Sequence, residues 1–187
     1  AVDAGFLLPG VDAPHGAAAV FNPNDCDLVF DQPFAGQLGG GREAGDSYSG
    51  VEYVYGSNFD DQITGNGAVN RLLGNDGNDV LDGGAGNDIL IGGAGADALV
   101  GGLGDQDAAS YQLASAGVLV NLVTGGTGGE AAGDSYTGIE YVYGSEFGDQ
   151  ITGDNLVNRL TGGNGNDWLD GAGGNDYLLG DAGNDTL

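Results

Sequence analysis

Residues 74–100 read GNDGNDVLD, GGAGNDILI and GGAGADALV, three consecutive units of nine residues. Each unit starts with glycine, has aspartate at its sixth position and leucine at its eighth. The pattern returns over residues 162–187 as GGNGNDWLD, GAGGNDYLL and GDAGNDTL. A short, fixed period is typical of repeat architectures in which each unit is one small structural element. These two stretches therefore decide the fold.

The first six residues of a unit are predicted to form a metal-binding turn. Glycine adopts positive φ without a Cβ penalty, so Gly83, Gly84 and Gly86 allow a tight loop with inward-pointing carbonyls. Asp88 adds a carboxylate at the end of that loop. Carbonyl and carboxylate oxygens are hard ligands, which suit Ca²⁺ better than zinc or copper. The last three residues, 89–91, favour a short strand whose central Leu90 faces inward.

One unit is too small to bury a core, so the units are expected to stack. Successive strands would fall alternately on two faces, so that two units make one coil and coils lie about 4.8 Å apart. The sequence thus predicts an all-β protein, a parallel β-roll or β-solenoid with Ca²⁺ ions in the repeat loops. Each ion would lie between loops that are two repeats apart in sequence.

Degenerate units precede each regular array. The same frame gives GSNFDDQIT and GNGAVNRLL over residues 56–73, and GSEFGDQIT and GDNLVNRLT over residues 144–161. Asn70 and Asn158 take the aspartate position there and offer only a neutral oxygen. These two sites are expected to be weak or empty.

The unit at 101–109, GGLGDQDAA, departs from the pattern in another way. Gln106 takes its sixth position, and Asp105 and Asp107 flank it. Either acid could substitute through a distorted loop, and this unit is expected to end the regular metal ladder.

The candidate metal ligands follow from the repeat frame. The sixth-position acids are Asp61, Asp79, Asp88, Asp97, Asp149, Asp167, Asp176 and Asp185. The loop residues are Gly74, Gly83, Ala85, Gly86, Gly92, Gly93, Gly95, Gly101, Gly104, Gly162, Gly163, Gly165, Gly171, Gly173 and Gly180. Asp107 joins them as a substitute ligand, and Asp76 joins them as a loop acid outside the sixth position.

The repeat resembles the calcium-binding nonapeptide of the repeats-in-toxin (RTX) proteins, G-G-x-G-x-D-x-U-x, in which U is a large apolar residue. The resemblance covers about three quarters of the chain, from Asp46 to the end. It implies a right-handed roll that binds several Ca²⁺ ions. It also implies an extracellular or cell-surface bacterial protein, exported by type I secretion through an uncleaved signal beyond Leu187.

A longer duplication encloses the two arrays. DSYSGVEYVYGSNFDDQITGNGAVNRL begins at Asp46, and a close copy begins 88 residues later at Asp134. We predict an irregular N-terminal cap or linker at 1–45 and a first array at 46–109 with nonapeptides from 56. An irregular solenoid spacer would follow at 110–143, and a second array, continuing or capped beyond its last residue, at 144–187.

Charge and composition exclude several classes of partner. The net charge is −25, there is no lysine, and the three basic residues are arginines. Such a chain repels nucleic acid and anionic lipid, and it repels itself unless cations bind. We therefore expect the chain to fold as Ca²⁺ binds. The single cysteine, Cys26, rules out an internal disulfide, and no apolar run is long enough to span a membrane. The absence of methionine suggests processing or a longer parent protein.

Aromatic residues leave a weaker possibility open. Two Y-V-Y strands, at 53–55 and 141–143, could stack on carbohydrate, although packing within the roll is favoured. Phe59 and Phe147 replace the fourth-position glycine and are expected to plug a coil that binds no metal.

The motifs predict a binding module and no enzyme. H-E-x-x-H, G-x-S-x-G and zinc-type Cys/His spacings are absent from the sequence. The favoured function is a calcium-gated structural or scaffold module. The alternatives are a non-catalytic accessory module of a secreted epimerase, protease or lipase, and a calcium-dependent subunit of a surface or membrane-associated assembly. In the last case the solenoid ends would bind a protein partner or another copy.

Overall fold

The chain folds into a two-sided parallel β-solenoid with almost no helix. The computed structural model describes residues 52–56 and 58–187 in full and residues 18–21 and 28–31 as backbone. The strands, in chain order, are β1 (Ala18–Phe21), β2 (Leu28–Asp31), β3 (Tyr53–Tyr55), β4 (Gln62–Thr64), β5 (Arg71–Asp76), β6 (Val80–Asp82), β7 (Ile89–Ala94), β8 (Ala98–Val100), β9 (Ala108–Ser110), β10 (Leu119–Asn121), β11 (Ser135–Thr137), β12 (Tyr141–Tyr143), β13 (Gln150–Thr152), β14 (Arg159–Asn164), β15 (Trp168–Asp170) and β16 (Tyr177–Ala182). One 3-10 turn, Gly129–Ala131, interrupts them.

One side of the solenoid is a single long sheet. Its order is β16-β14-β12-β9-β7-β5-β3-β1-β2. Pairing is parallel from β3 to β16, whereas β1 joins β3 and β2 joins β1 antiparallel. The predicted cap at 1–45 otherwise lies outside the described residues.

The opposite side consists of two shorter sheets. The first has the order β4-β6-β8-β11 and the second the order β10-β13-β15. Within an array, paired residues are two nonapeptides apart, as in Leu72 opposite Leu90 on the long sheet and Leu81 opposite Leu99 on the short one. One coil therefore takes two repeats, which confirms the predicted β-roll.

The core consists of one inward-facing residue per strand. In the regular nonapeptides it lies at the eighth position, and in β9 at the ninth, because alternate residues of a strand face opposite sides of the sheet. Buried residues of this kind are Val54, Ile63, Leu72, Leu81, Leu90, Leu99, Ala109, Val120, Val142, Ile151, Leu160 and Leu169. Each fully buried leucine stabilises the fold by roughly 1.5–3 kcal/mol, so the stack itself holds the two sides together.

The middle of the solenoid departs from this regular winding. After β9 the chain runs ahead to β10, which pairs with β13 of the second array. It then returns through the 3-10 turn to β11, which pairs with β8 of the first array. The turn buries Ala131 fully. Residues 111–140 thus contact both arrays on the short side.

The turns explain why glycine holds the second position of four units. This second residue has positive φ, as in Gly84 (91°) and Gly93 (103°). Non-glycine residues hold the same conformation at Asn75 (81°), Ala172 (63°) and Asp181 (68°). Left-handed backbone costs roughly 1–2 kcal/mol for a residue with a Cβ, but asparagine and aspartate tolerate it better, so Ala172 is the strained position of the three.

Two surface features complete the fold. Phe59 and Phe147 are 39% and 46% exposed, so the prediction that they plug a coil was wrong. Their loops project the rings outward because the interior already holds the sixth-position side chains Asp61 and Asp149. In the described part of the chain, no helix is long and apolar enough to cross a membrane.

Candidate metal centres in the repeat loops

Most sixth-position acids are buried, and those that precede the short-sheet strands form a ladder along one edge of the solenoid. One oxygen of each accepts a hydrogen bond from the backbone N–H of its counterpart one coil earlier. Asp61 N–H donates to Asp79 Oδ1 (2.8 Å), Asp79 N–H to Asp97 Oδ1 (2.8 Å) and Asp97 N–H to Asp134 Oδ1 (2.9 Å). In the second array, Asp149 N–H donates to Asp167 Oδ1 (2.8 Å). Each loop therefore anchors the loop before it.

A second ladder follows the opposite edge. Asn70 N–H donates to Asp88 Oδ1 (2.7 Å), Asp88 N–H to Asp107 Oδ1 (2.7 Å) and Asp107 N–H to Glu140 Oε2 (3.0 Å). Asp107 is fully buried and takes the place that the repeat frame assigned to Gln106, which is exposed. The unit makes this exchange by lengthening its loop by one residue.

Five of these carboxylates have a second oxygen that no hydrogen bond satisfies. In the described residues, these orphan oxygens are Oδ2 of Asp79, Asp88, Asp97, Asp107 and Asp167. A buried carboxylate oxygen without a donor or a cation is costly, because the charge has lost its water. The five orphan oxygens therefore mark places where the fold is incomplete without a positive partner.

The pKa values of these carboxyl groups also reflect the lack of a positive partner. Burial, opposed by the hydrogen bond from Asp61, raises the pKa of Asp79 to about 6. Burial also raises the pKa of Asp97 to about 7, with the nearby Asp134 carboxylate adding to it. The pKa values of Asp88 and Asp107 rise for the same first cause. Without a cation, these carboxyl groups hold a proton more readily than free aspartate does.

Glycine leaves room beside each orphan oxygen. A Cβ on Gly74 would meet Asp79 Oδ2 and lie 2.6 Å from the carbonyl oxygen of Gly92. A Cβ on Gly83 would meet Asp88 Oδ2 and lie 2.7 Å from the carbonyl oxygen of Gly101. The space that the missing Cβ leaves is thus lined by a carboxylate oxygen and a carbonyl oxygen from the next coil.

These donors fit calcium. All of them are oxygens, the ligand type that Ca²⁺ takes in proteins. In the described part of the chain, no three His, Cys, Asp or Glu side chains converge on one point. An ion would therefore depend on backbone carbonyls in addition to the carboxylates, as the glycine-rich loops allow.

Other loops satisfy the equivalent oxygen without a cation. Asn66 N–H donates to Asn70 Oδ1 (2.7 Å), and Asp154 N–H donates to Asn158 Oδ1 (2.8 Å). At Asp149, Ser145 supplies both partners: its N–H donates to Oδ2 (2.6 Å) and its hydroxyl to Oδ1 (2.8 Å). These loops are closed by protein donors.

The remaining predicted ligands lie at the periphery of this arrangement. Asp176 and Asp185 are half-buried near the C-terminal end, where they accept hydrogen bonds from Asn158 N–H (2.9 Å) and Asp167 N–H (3.0 Å). Asp76 is exposed at the end of β5. The loop residue Ala85 is half-buried and donates its N–H to the Asn66 carbonyl (2.8 Å).

Sequence reasoning missed two members of the ladders. Asp134 and Glu140 both belong to the spacer, outside any recognisable nonapeptide. Each directly precedes the first residue of a strand, as a sixth-position acid does. That placement, together with the 88-residue duplication, is the signal that could have identified them.

Comparison with known proteins agrees with this geometry. A family model described as an RTX calcium-binding nonapeptide repeat (4 copies) matches residues 46–81, 73–105 and 152–187. The matched residues together cover just over half of the chain. A search of curated proteins gave no match.

Proposed function

The chain belongs to the RTX calcium-binding nonapeptide repeat family, and on that premise we propose that it is a structural module whose two arrays fold as they bind Ca²⁺. The family implies calcium binding by the repeats. The proposal adds where the ions lie and what their binding does to the fold.

The observation that carries the proposal is the set of five orphan oxygens. Each lies in a repeat loop next to a first-position glycine and is turned away from water. Calcium would supply the positive charge that these carboxylates lack, and loop carbonyls would complete its coordination. We therefore assign ions to the loops of Asp79, Asp88, Asp97, Asp107 and Asp167. The half-buried Asp176 and Asp185 extend the second array toward the C-terminus.

Net charge supports coupled binding and folding. The chain carries −25, so bringing its acids together without cations is unfavourable. An unfolded chain offers no preformed site, so the free energy of ion binding becomes free energy of folding. Loop sites of this class bind Ca²⁺ at roughly 10⁻⁴–10⁻³ M. Such sites would remain empty in a cell interior and fill outside it.

This affinity range favours a secreted or cell-surface scaffold. The module would pass through an exporter unfolded and become a stiff β-solenoid in the external medium. Attachment to a separate secreted enzyme or to a surface assembly is compatible with the same module, because the arrays act as structure in each case.

Circular dichroism and calorimetry on the 187-residue chain test the proposal. Far-ultraviolet spectra should gain strand signal as Ca²⁺ rises through the millimolar range, and calorimetry should show several ions bound. Mg²⁺ at the same concentration should have little effect, because it demands octahedral geometry and retains its waters. Equal strand signal in excess chelator and in Ca²⁺ would contradict the proposal, as would the absence of calcium binding.

A further inference from the structure

The ladder of buried acids changes character at Asp134. Its Oδ1 accepts the hydrogen bond from Asp97 N–H (2.9 Å), as in any other coil. Its Oδ2, the oxygen that is an orphan elsewhere, accepts a hydrogen bond from the Tyr111 hydroxyl (2.7 Å). Tyr111 is only 3% exposed, so this bond is shielded from water. The Tyr111 hydroxyl thus satisfies the oxygen that a cation would have to satisfy in a neighbouring coil.

A second tyrosine holds the first in place. The hydroxyls of Tyr111 and Tyr136 are 2.5 Å apart. Because Tyr111 donates its proton to Asp134, its oxygen accepts the proton of Tyr136. Burial raises the pKa of Tyr111 well above its ordinary value, so the phenol stays protonated and remains a donor. The cluster of Tyr136, Tyr111 and Asp134 is therefore complete without an ion.

The far side of the spacer is also closed by protein groups. Asp149 has both oxygens bonded to Ser145, and its Oδ1 also accepts Val118 N–H (2.7 Å). Glu130 Oε1 accepts both the N–H (3.0 Å) and the hydroxyl (3.2 Å) of Ser115. Among the described residues, no unpartnered buried side-chain atom lies between positions 111 and 157.

The same stretch contributes buried apolar residues to the core that runs through the whole solenoid. Val118, Val120, Ile139 and Val142 are at most 5% exposed. They come from coils that wind irregularly and pack against Ala131 of the 3-10 turn. Apolar burial and satisfied polar groups can thus hold this segment without a metal.

We propose that residues 111–152 form a calcium-independent core, closed by the Tyr111–Asp134 and Ser145–Asp149 contacts, on which the two calcium-binding arrays fold. This inference rests on the proposed function, since it assumes that the arrays themselves require Ca²⁺. The topology supplies the templates: β11 offers its edge to β8 of the first array, and β10 pairs with β13 at the start of the second. On the long sheet, β12 pairs with β9 on one side and β14 on the other.

Residue-resolved hydrogen exchange on the whole chain tests the inference. In excess chelator, amides that bond inside the segment, those of β10, β13 and the 3-10 turn, should remain protected. Those of β5 to β8, of β11, which pairs with β8, and of β14 to β16 should exchange freely. In millimolar Ca²⁺ all of them should be protected. Loss of protection in the middle segment with chelator would overturn the inference while leaving the proposed function intact. Protection of the arrays in chelator would instead contradict the proposed function.

Tyr111→Phe tests the contact itself. Removing the hydroxyl leaves Asp134 Oδ2 without a donor, so protection of the neighbouring Gly133 and Asp134 amides, which bond inside the segment, should fall in chelator by about tenfold or more. The matched control is Tyr177→Phe, which removes the same atom from a ring that is 55% exposed and should change nothing. Equal protection in the two variants would refute the role of Tyr111.

Ser145→Ala provides an independent variant should the Tyr111→Phe chain fail to fold. It should lower protection of β13 in chelator and leave the Gly133 and Asp134 amides unchanged, because the lost hydroxyl bonds to Asp149 and to the Phe147 backbone at the other end of the segment. A uniform loss across both ends would show that the segment is not closed by local contacts.

Discussion

Replacing Asp97 with asparagine separates the structural role of a loop acid from its role as a ligand. Asp97 Oδ1 accepts the Asp79 N–H (2.8 Å), a bond that an asparagine carbonyl can keep. Asp97 Oδ2 is an orphan oxygen, which becomes an uncharged amide nitrogen in the variant. Asn158 shows that a sixth-position asparagine can leave its Nδ2 buried and unpartnered in this fold, although there Oδ1 faces the first-position glycine.

The structure gives the magnitude for the calcium-free fold. Burial raises the pKa of Asp97 from 3.8 to about 7. Each pKa unit corresponds to about 1.36 kcal/mol, so keeping this carboxylate ionised at neutral pH costs the folded state up to about 4 kcal/mol. The asparagine removes that cost but leaves its amide without an acceptor, at about 1–3 kcal/mol. Asp97→Asn should therefore stabilise the calcium-free fold by about 1–3 kcal/mol.

In the presence of Ca²⁺ the parent should become the more stable of the two chains. A site in the extracellular affinity range contributes about 1–3 kcal/mol at 10 mM ion, and the variant loses that contribution. Urea unfolding at a series of Ca²⁺ concentrations measures both effects, because the slope of the unfolding free energy against the logarithm of ion concentration counts the ions bound on folding. For Asp97→Asn the slope should fall by about one ion. At the lowest Ca²⁺ concentrations the unfolding free energy of the variant should exceed that of the parent.

Asp149→Asn is the matched control for this experiment. Ser145 already satisfies both oxygens of Asp149, so its slope should equal that of the parent even where stability falls. The reasoning is refuted if Asp97→Asn keeps the parental slope, or if Asp149→Asn loses as many ions as Asp97→Asn.

Three further predictions follow from the same loops. The pKa values of Asp79 and Asp97 lie above 3.8 in the fold, so the calcium-free fold should be most stable below about pH 4 and lose stability as pH rises through 6–7. Far-ultraviolet circular dichroism in chelator should therefore gain strand signal as pH falls from 7 to 4, and a signal that does not change with pH would contradict the prediction. Gly83→Ala should cost about 1–3 kcal/mol and weaken calcium binding, since its methyl would lie 2.7 Å from a carbonyl oxygen. Gly67→Ala, where a Cβ meets nothing within 4 Å, serves as its control in calorimetry. Ala172→Gly should stabilise the calcium-bound fold by up to about 1 kcal/mol and raise its melting temperature, because glycine adopts a φ of 63° without strain. A lower melting temperature would show that Ala172 is not strained.

The regular part of the fold could be predicted from the sequence because its contacts follow from a local period. Leu72 and Leu90 occupy the same position in units two repeats apart, and they are paired in neighbouring strands. The inward direction of the eighth residue follows from the alternation of a strand. Where each unit repeats the same local choices, the stacking rule fixes the long-range contacts as well.

The spacer could not be predicted in this way. Its strands pair out of chain order, with β11 next to β8 and β10 next to β13, and no local pattern encodes that exchange. The contact between Tyr111 and Asp134 joins residues 23 positions apart in a stretch without a period. Such contacts depend on how the irregular coils pack, and only the folded chain brings them together.

The ladders also change what identifies a calcium ligand in this chain. A buried acid at the sixth position is common to closed and open loops alike, since Asp149 and Asp167 hold the same place on the same edge. What differs is the donor that faces the second oxygen: the backbone N–H of Ser145 at Asp149, the Tyr111 hydroxyl at Asp134, and none at Asp167. A cation is needed where the chain provides no donor of its own. Whether a loop binds calcium is therefore decided by the presence of a donor facing the acid, which the loop backbone supplies at Asp149 and a side chain supplies at Asp134.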